Sequence, residues 1–224
     1  MTLDTDPAPA GDDLAALLDR WVAAWAVSRG ATRRRVGRAW LVDVRAATRA
    51  AEYFIALPSQ AEIDALADRA SGAQDVWVTV LGSPQPALPP GLEPVTHAEC
   101  MMTFGLPDPA PSVSGSAPGS ADPVAGVDLE AIDGVTHATI TIDGEEAARG
   151  QLAVVGGDAV FDRISTDSRF RRRGLASRVM AALTAAAVDG GATTGLLMAS
   201  IDGRPLYTAL GWREVAPLQT FRGR

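Results

Sequence analysis

Residues 161–176, FDRISTDSRFRRRGLA, hold the side chains best suited to chemistry. A strand ends at Thr166 and enters a basic loop containing Arg169, Arg171, Arg172, Arg173 and Gly174. Beyond it, Leu175, Val179, Leu183 and Ala187 fall on one face of a helix that Gly190-Gly191 would stop. A strand, a glycine loop and a helix in that order form an anion cradle. The first amides of a helix lack internal partners and point along its axis, so a diphosphate can accept several hydrogen bonds there while the helix dipole adds a favourable term. Gly174 and the small Ala176 allow the close approach that a larger side chain would prevent.

The elements that must position this loop are legible on both sides of it. Residues 136–142 alternate as a strand, Asp143-Gly144 is a hairpin turn, and 147–155 return antiparallel. A second turn at 156–158 leads into the strand 160–166, and the helix over 174–188 is followed by a strand over 195–199. A short helix at 205–210 and a pair of strands at 212–215 and 218–221 complete the chain, with 127–132 as a first strand before the hairpin. Upstream, Leu14, Leu17, Leu18, Trp21, Val22 and Trp25 recur at helical spacing. Strands follow at 39–45, 52–57 and 76–81, Ser59 caps a helix over 60–70, and 98–104 form one further strand. Residues 84–94 read as a loop, and Arg33, Arg34, Arg35 and Arg38 as a solvated basic turn. The stretch 107–125 is Pro, Ser, Gly and Ala with almost no large apolar residue, a flexible linker between an N-terminal α/β region (1–106) and a C-terminal domain (126–224).

Arg171-Arg172-Arg173-Gly174-Leu175-Ala176 resembles the Arg/Gln-x-x-Gly-x-Gly/Ala signature of the GNAT N-acetyltransferases. The strand ending Leu197-Met198-Ala199-Ser200 and the later Leu206-Tyr207 and Leu210-Gly211-Trp212 follow in that family's order. The resemblance covers residues 136–224. It implies an α/β fold with a mixed, largely antiparallel sheet in which two parallel strands splay into a V-shaped cleft, and acetyl-coenzyme A as co-substrate within it. By the same resemblance, Arg171, Arg172, Arg173, Gly174, Leu175 and Ala176 hold the pyrophosphate, and Ile164, Ser165 and Thr166 line the pantetheine, Ile164 and Thr166 through main-chain groups. Ser200 stands where many relatives carry an Asn that touches the cofactor.

Transfer to an amine requires a proton acceptor for the nucleophile and a proton donor for the departing thiolate. The resemblance makes Tyr207 the acid. Asp162 occupies a position where some members carry a carboxylate that acts through water; pairing with an arginine is the alternative for it. Glu145, Glu146 and Asp202 are weaker candidates for the base. His97 and His137 have no Ser or Cys partner in a recognisable arrangement and read as structural.

The helices that build the acceptor site in this family are missing from 107–125. Residues 52–95 read as strand, helix, strand and Pro-rich loop, an echo of the later half, so the N-terminal region could be a degenerate half of the same fold and stand in for them. The net charge of −7 argues against nucleic acid or an anionic membrane as partner, despite the two arginine clusters. A single cysteine excludes an internal disulfide and a cysteine-based metal site, so no metal and a reducing, cytoplasmic setting are expected. Residues 1–13 lack signal-peptide features. The expected activity is transfer of an acetyl group to a primary amine of a small molecule or protein; the alternative is a catalytically silent acetyl-coenzyme A-binding module that regulates a partner. Dimers are common among similar proteins.

Overall fold

Leu14, Leu18, Trp21, Val22 and Trp25 wind into helix α1 (Gly11–Ser28) and bury one apolar stripe. The computed structural model describes residues 11–83, 87–107 and 126–224. The linker expected at 107–125 lies outside the described residues except for Pro107, as do residues 1–10 and part of the 84–94 loop.

The strands run β1 (Thr32–Val36), β2 (Ala39–Asp43), β3 (Ala51–Ala56), β4 (Val76–Leu81), β5 (Leu92–Gly105), β6 (Asp128–Ile132), β7 (Val135–Ile142), β8 (Glu145–Val155), β9 (Asp158–Thr166), β10 (Thr194–Ala199) and β11 (Arg213–Gly223). Helix α2 (Gln60–Ala70) links β3 to β4, α3 (Leu175–Asp189) links β9 to β10, and α4 (Arg204–Ala209) precedes β11. Among the described residues all eleven strands join one open sheet in the order β1-β2-β3-β4-β11-β5-β10-β9-β8-β7-β6. Only β3 with β4 and β9 with β10 are parallel, each joined by a helical crossover; every other pairing is antiparallel.

Three details differ from the sequence reading. Strand β5 begins at Leu92, so residues 92–94 of the expected 84–94 loop are strand, held by pairing with 221–223 of β11. Arg33, Arg34 and Arg35 lie in edge strand β1, because each faces a β2 residue in register and the guanidinium groups of Arg33 and Arg35 stack on Trp40 at 4.8 and 4.0 Å. The two terminal strands are one, β11, which runs through Pro217 because it is held on both sides, by β4 and by β5. Strand β5 sits between β11 and β10, so the N-terminal and C-terminal parts of the chain interlock in the middle of the sheet.

The cores follow from the two faces. Helix α3 covers β7, β8 and β9 on one face, with Leu175, Val179, Met180 and Leu183 buried, and α2 covers β3 and β4 on that side through Ile63, Leu66 and Ala67. Helix α1 covers the opposite face, where Trp21, Trp25 and Phe54 meet at ring separations of 5.1–5.4 Å. Each such buried aromatic side chain stabilises by roughly 1.5–3 kcal/mol. Strand β3 therefore buries both sides, Tyr53 and Ile55 toward α2 and Phe54 and Ala56 toward α1.

Candidate active site

The cleft begins where β9 and β10 part. Their register runs Thr194 with Asp158, Gly195 with Ala159 and Leu196 with Val160, and stops there, although β9 continues to Thr166 and β10 to Ala199. Strand β9 stays with β8 and β10 stays with β5. The cause is a bulge: Gln151 faces Asp162 and Arg149 faces Ser165, so Gly150 opposes both Arg163 and Ile164, and Arg163 takes φ 53°. An extra residue bends the strand that carries it, and β9 turns away from β10. Gly150 is required here, since a Cβ on it would come within 2.5 Å of Ile164 and 2.8 Å of Val179.

At the end of β9 the loop delivers Gly174 at φ 72° as the N-cap of α3, with no side chain capping the helix. The first intrahelical bond runs from the Arg178 N–H to the Gly174 carbonyl at 3.2 Å. The preceding amides of α3 have no intrahelical acceptor by construction. A Cβ on Gly174 would meet nothing within 4 Å, so the space in front of it is open. Arg171, Arg172 and Arg173 are exposed around it, and Arg173 stacks on Phe170 at 5.3 Å. Leu175 is buried in the α3 core and Ala176 half-buried. On β9, Ile164 and Thr166 are half-buried and Ser165 is exposed, and the Thr166 hydroxyl is buried without a hydrogen-bond partner.

A cleft of about 270 Å³ adjoins the parted strands on the α1 face. Trp21, Trp25 and Arg29 form one wall, and Ile164, Ser200 and Tyr207 stand on the other side. Its floor includes Glu52 of β3, Thr79 of β4, and Leu218 and Thr220 of β11. Helix α1 is bolted over β8 and β9 by polar clamps. Gln151 donates to the Ser28 carbonyl at 2.6 Å, and Arg20 pairs with Asp158. Helix α1 thus supplies one wall of the cleft.

Tyr207 is buried on α4, its ring 6.3 Å from that of Trp212, in a space that Gly203 leaves free. Burial pushes its phenol up to about 12, with the Asp162 charge adding to the shift, so it holds its proton at neutral pH. Ser200 accepts a hydrogen bond from the Gly203 N–H at 3.1 Å, which fixes the turn into α4.

Asp162, the base suggested by the sequence, has both carboxylate oxygens engaged. Arg29 donates through Nε at 2.5 Å and Nη2 at 2.8 Å, the Ser28 hydroxyl at 3.1 Å, and the Arg163 N–H at 2.9 Å. A carboxylate so occupied by a guanidinium is a clamp, and the pairing reading of Asp162 is the one its geometry supports. Glu146 pairs with Arg149, and Glu145 with Arg169, at the exposed end of β8. Asp202 is exposed in the turn before α4 and is not among the residues lining the cleft. His137 is half-buried on β7, and the side chain of His97 lies outside the described residues.

Sequence reasoning missed Glu52, Thr79 and Thr220. The one signal for them is an acid placed at the head of the apolar strand AEYFIA.

The fold is similar to those of several solved structures. It is similar to a GCN5-related N-acetyltransferase from Kribbella flavida, with a TM-score of 0.61 and 15% identity over 94% of this chain and 95% of that one. It is similar also to a protein of the GNAT family from Novosphingobium aromaticivorans (TM-score 0.58, 21% identity, 92% and 98% covered). A GCN5-related N-acetyltransferase-like protein from Streptococcus suis gives 0.52 at 11% identity, with 96% and 100% covered. These likenesses define the class as an open mixed α/β sheet of the GCN5-related type. Residues 130–224 match the family described as acetyltransferase (GNAT) domain. No curated protein sequence matches it. Among the described residues no cluster of His, Cys, Asp and Glu could hold a metal ion, and no helix is long and apolar enough to cross a membrane.

Proposed function

We propose that the chain transfers an acetyl group from acetyl-coenzyme A to a primary amine of a small molecule or protein. The observation that carries this reading is the parting of β9 and β10 beside the uncapped N-terminus of α3. The open space in front of Gly174 and the unpartnered Thr166 hydroxyl fit an extended, phosphate-bearing group. Leu175, Ala176 and their neighbours would present amides to the diphosphate, Arg171, Arg172 and Arg173 would offset its charge, and Ile164, Ser165, Thr166 and Ser200 would line the pantetheine arm. The thioester supplies an activated acetyl group when bound.

The residues of the chain do the rest. Trp21, Trp25 and Phe161 give the cleft an apolar part of its lining, against which a bound acetyl group would be shielded from water. Tyr207, protonated at neutral pH, lines the same space and serves as the acid for the departing thiolate. The family domain supports acetyl transfer, and the cleft enclosed by α1 supports an acceptor of limited size at its inner end.

Thermal denaturation with acetyl-coenzyme A tests the reading, because a ligand bound by the native state alone raises the melting temperature. The parent should show a clear rise and Gly174→Glu none. Binding without thiol release across a broad panel of amines would instead favour the silent module.

A further inference from the structure

Glu52 is 2% exposed, yet its carboxylate lies in the floor of the cleft. Burial pushes it above the ordinary carboxylate range, against the opposing influence of Arg49, the Thr79 hydrogen bond and Arg29. One oxygen receives Arg49 Nη1 at 2.8 Å. The other accepts from the Thr79 hydroxyl at 2.5 Å. With its proton given to Glu52, the Thr79 oxygen accepts from the Thr220 hydroxyl, 2.8 Å away. Thr220 in turn keeps an oxygen lone pair for a donor in the cleft, which all three residues line. The chain of donors thus points one way, from the cleft through Thr220 and Thr79 to Glu52.

Resting on the transferase reading, we propose that the attacking amine delivers its proton to Glu52 through the Thr220 and Thr79 hydroxyls. As the nitrogen lone pair forms the bond to the acetyl carbon, the N–H proton passes to the Thr220 oxygen. The Thr220 proton passes to Thr79, and the Thr79 proton to the carboxylate. When the carbon–sulfur bond breaks, the sulfur keeps the electron pair and takes the Tyr207 proton. Glu52 and Tyr207 return to their starting states by net transfer of one proton from the carboxyl to the phenolate, directly or through solvent. Asp162 is the poorer acceptor because Arg29 binds both of its oxygens, whereas Arg49 binds one oxygen of Glu52 and leaves the other to Thr79. The relay draws one member from each of β3, β4 and β11, which gives the N-terminal part of the chain a share in the chemistry of the C-terminal domain.

The charged groups around the cleft are Arg49 before β3, Arg29 after α1, Asp162 and Arg163 on β9, and Glu99 on β5. The relay works only while Glu52 is ionised, so kcat should rise with pH through the raised pKa of Glu52 and then level. The test uses the full chain with acetyl-coenzyme A and three probe amines, phenethylamine, tryptamine and Nα-acetyl-lysine, reading thiol release. Glu52→Gln and Thr220→Val should each lower kcat about 100-fold with KM little changed, and Thr220→Ser should restore most of it. Glu52→Gln should also abolish the acidic limb of the pH profile. Acetyl-coenzyme A should raise the melting temperature of every variant as it does the parent; if Glu52→Gln does not fold, the Thr220 pair decides. An active parent whose variants keep their rate, or whose acidic limb survives in Glu52→Gln, overturns the relay. A parent that binds acetyl-coenzyme A but releases no thiol with any of the three amines overturns it as well. A parent whose melting temperature acetyl-coenzyme A does not move overturns the transferase reading itself.

Discussion

Arg29 holds Asp162 through two hydrogen bonds, at 2.5 and 2.8 Å, and so ties the end of α1 to the bulge that parts β9 from β10. Both side chains are largely buried, with 15% and 12% of their surface exposed. Removing one member of a buried pair leaves the other charge uncompensated.

Asp162→Asn should therefore destabilise the protein by about 3 kcal/mol, read as a lower midpoint in chemical denaturation. The exposed pair of Glu146 and Arg149 is the control, and Glu146→Gln should change stability by less than about 1 kcal/mol. If Asp162 were the base, its substitution would erase the acidic limb of the rate profile. As a clamp, it should lower the rate while leaving the limb in place.

Tyr207→Phe keeps the ring against Trp212 and removes the hydroxyl that carries the proton. The expected result is a fall in kcat of about 100-fold with acetyl-coenzyme A affinity unchanged. Because burial raises the phenol to about 12, the folded state resists ionisation more than the unfolded chain does. Its contribution to stability is fully present below the ordinary tyrosine pKa and is lost as pH rises through about 12. Loss of the proton from Tyr207 should accordingly not limit the rate of the parent below about pH 10.

Gly174 separates two effects that a single substitution would merge. Gly174→Ala places a Cβ in open space at φ 72°, so it should cost about 1–2 kcal/mol of stability through backbone strain. Acetyl-coenzyme A should still raise its melting temperature. Gly174→Glu adds a carboxylate beside the uncapped amides of α3 and should abolish that rise.

How much of this was legible in the sequence depends on how local each signal is. The loop from Thr166 to Ala176, the hairpin at Asp143-Gly144 and the α2 cap at Ser59 are set by neighbours in the chain, and the structure has them where the sequence puts them. The order of the sheet is not local. Nothing in the alternation of residues 92–105 or 213–223 says that β5 inserts beside β10 and that β11 inserts beside β4. Arg33, Arg34 and Arg35 read as a turn because an exposed edge strand has no buried face to impose a period of two. Asp162 stands out by its place on the strand before the loop, but its partner Arg29 lies 133 residues away. Glu52 shows in the sequence only as one acid at the head of a strand buried on both faces, and its partner Thr79 lies 27 residues away. Sequence similarity thus marked the half of the cleft formed by β9, α3 and α4, while the half built from α1, β3 and β4 needed the fold.

The parallel pair of the N-terminal part repeats the topology of β9, α3 and β10 without its opening. Strands β3 and β4 stay paired in register from Ala51 with Val76 to Ala56 with Leu81, so no gap admits a pantetheine arm. The N-terminus of α2, the counterpart of the Gly174 cradle, is closed by its own side chains. Ser59 accepts from the Glu62 N–H, and Glu62 accepts from the Ser59 N–H at 2.9 Å. These hydrogen bonds, together with Arg38, hold the Glu62 carboxyl below its usual range, which places a negative charge where a phosphate would have to sit. Calorimetric titration should accordingly give one acetyl-coenzyme A per chain. Glu62→Ala should lower stability by about 1 kcal/mol through loss of the capping box, yet leave that stoichiometry at one, because the paired strands remain shut. A second equivalent bound by the parent would mean that β3 and β4 can part as β9 and β10 do.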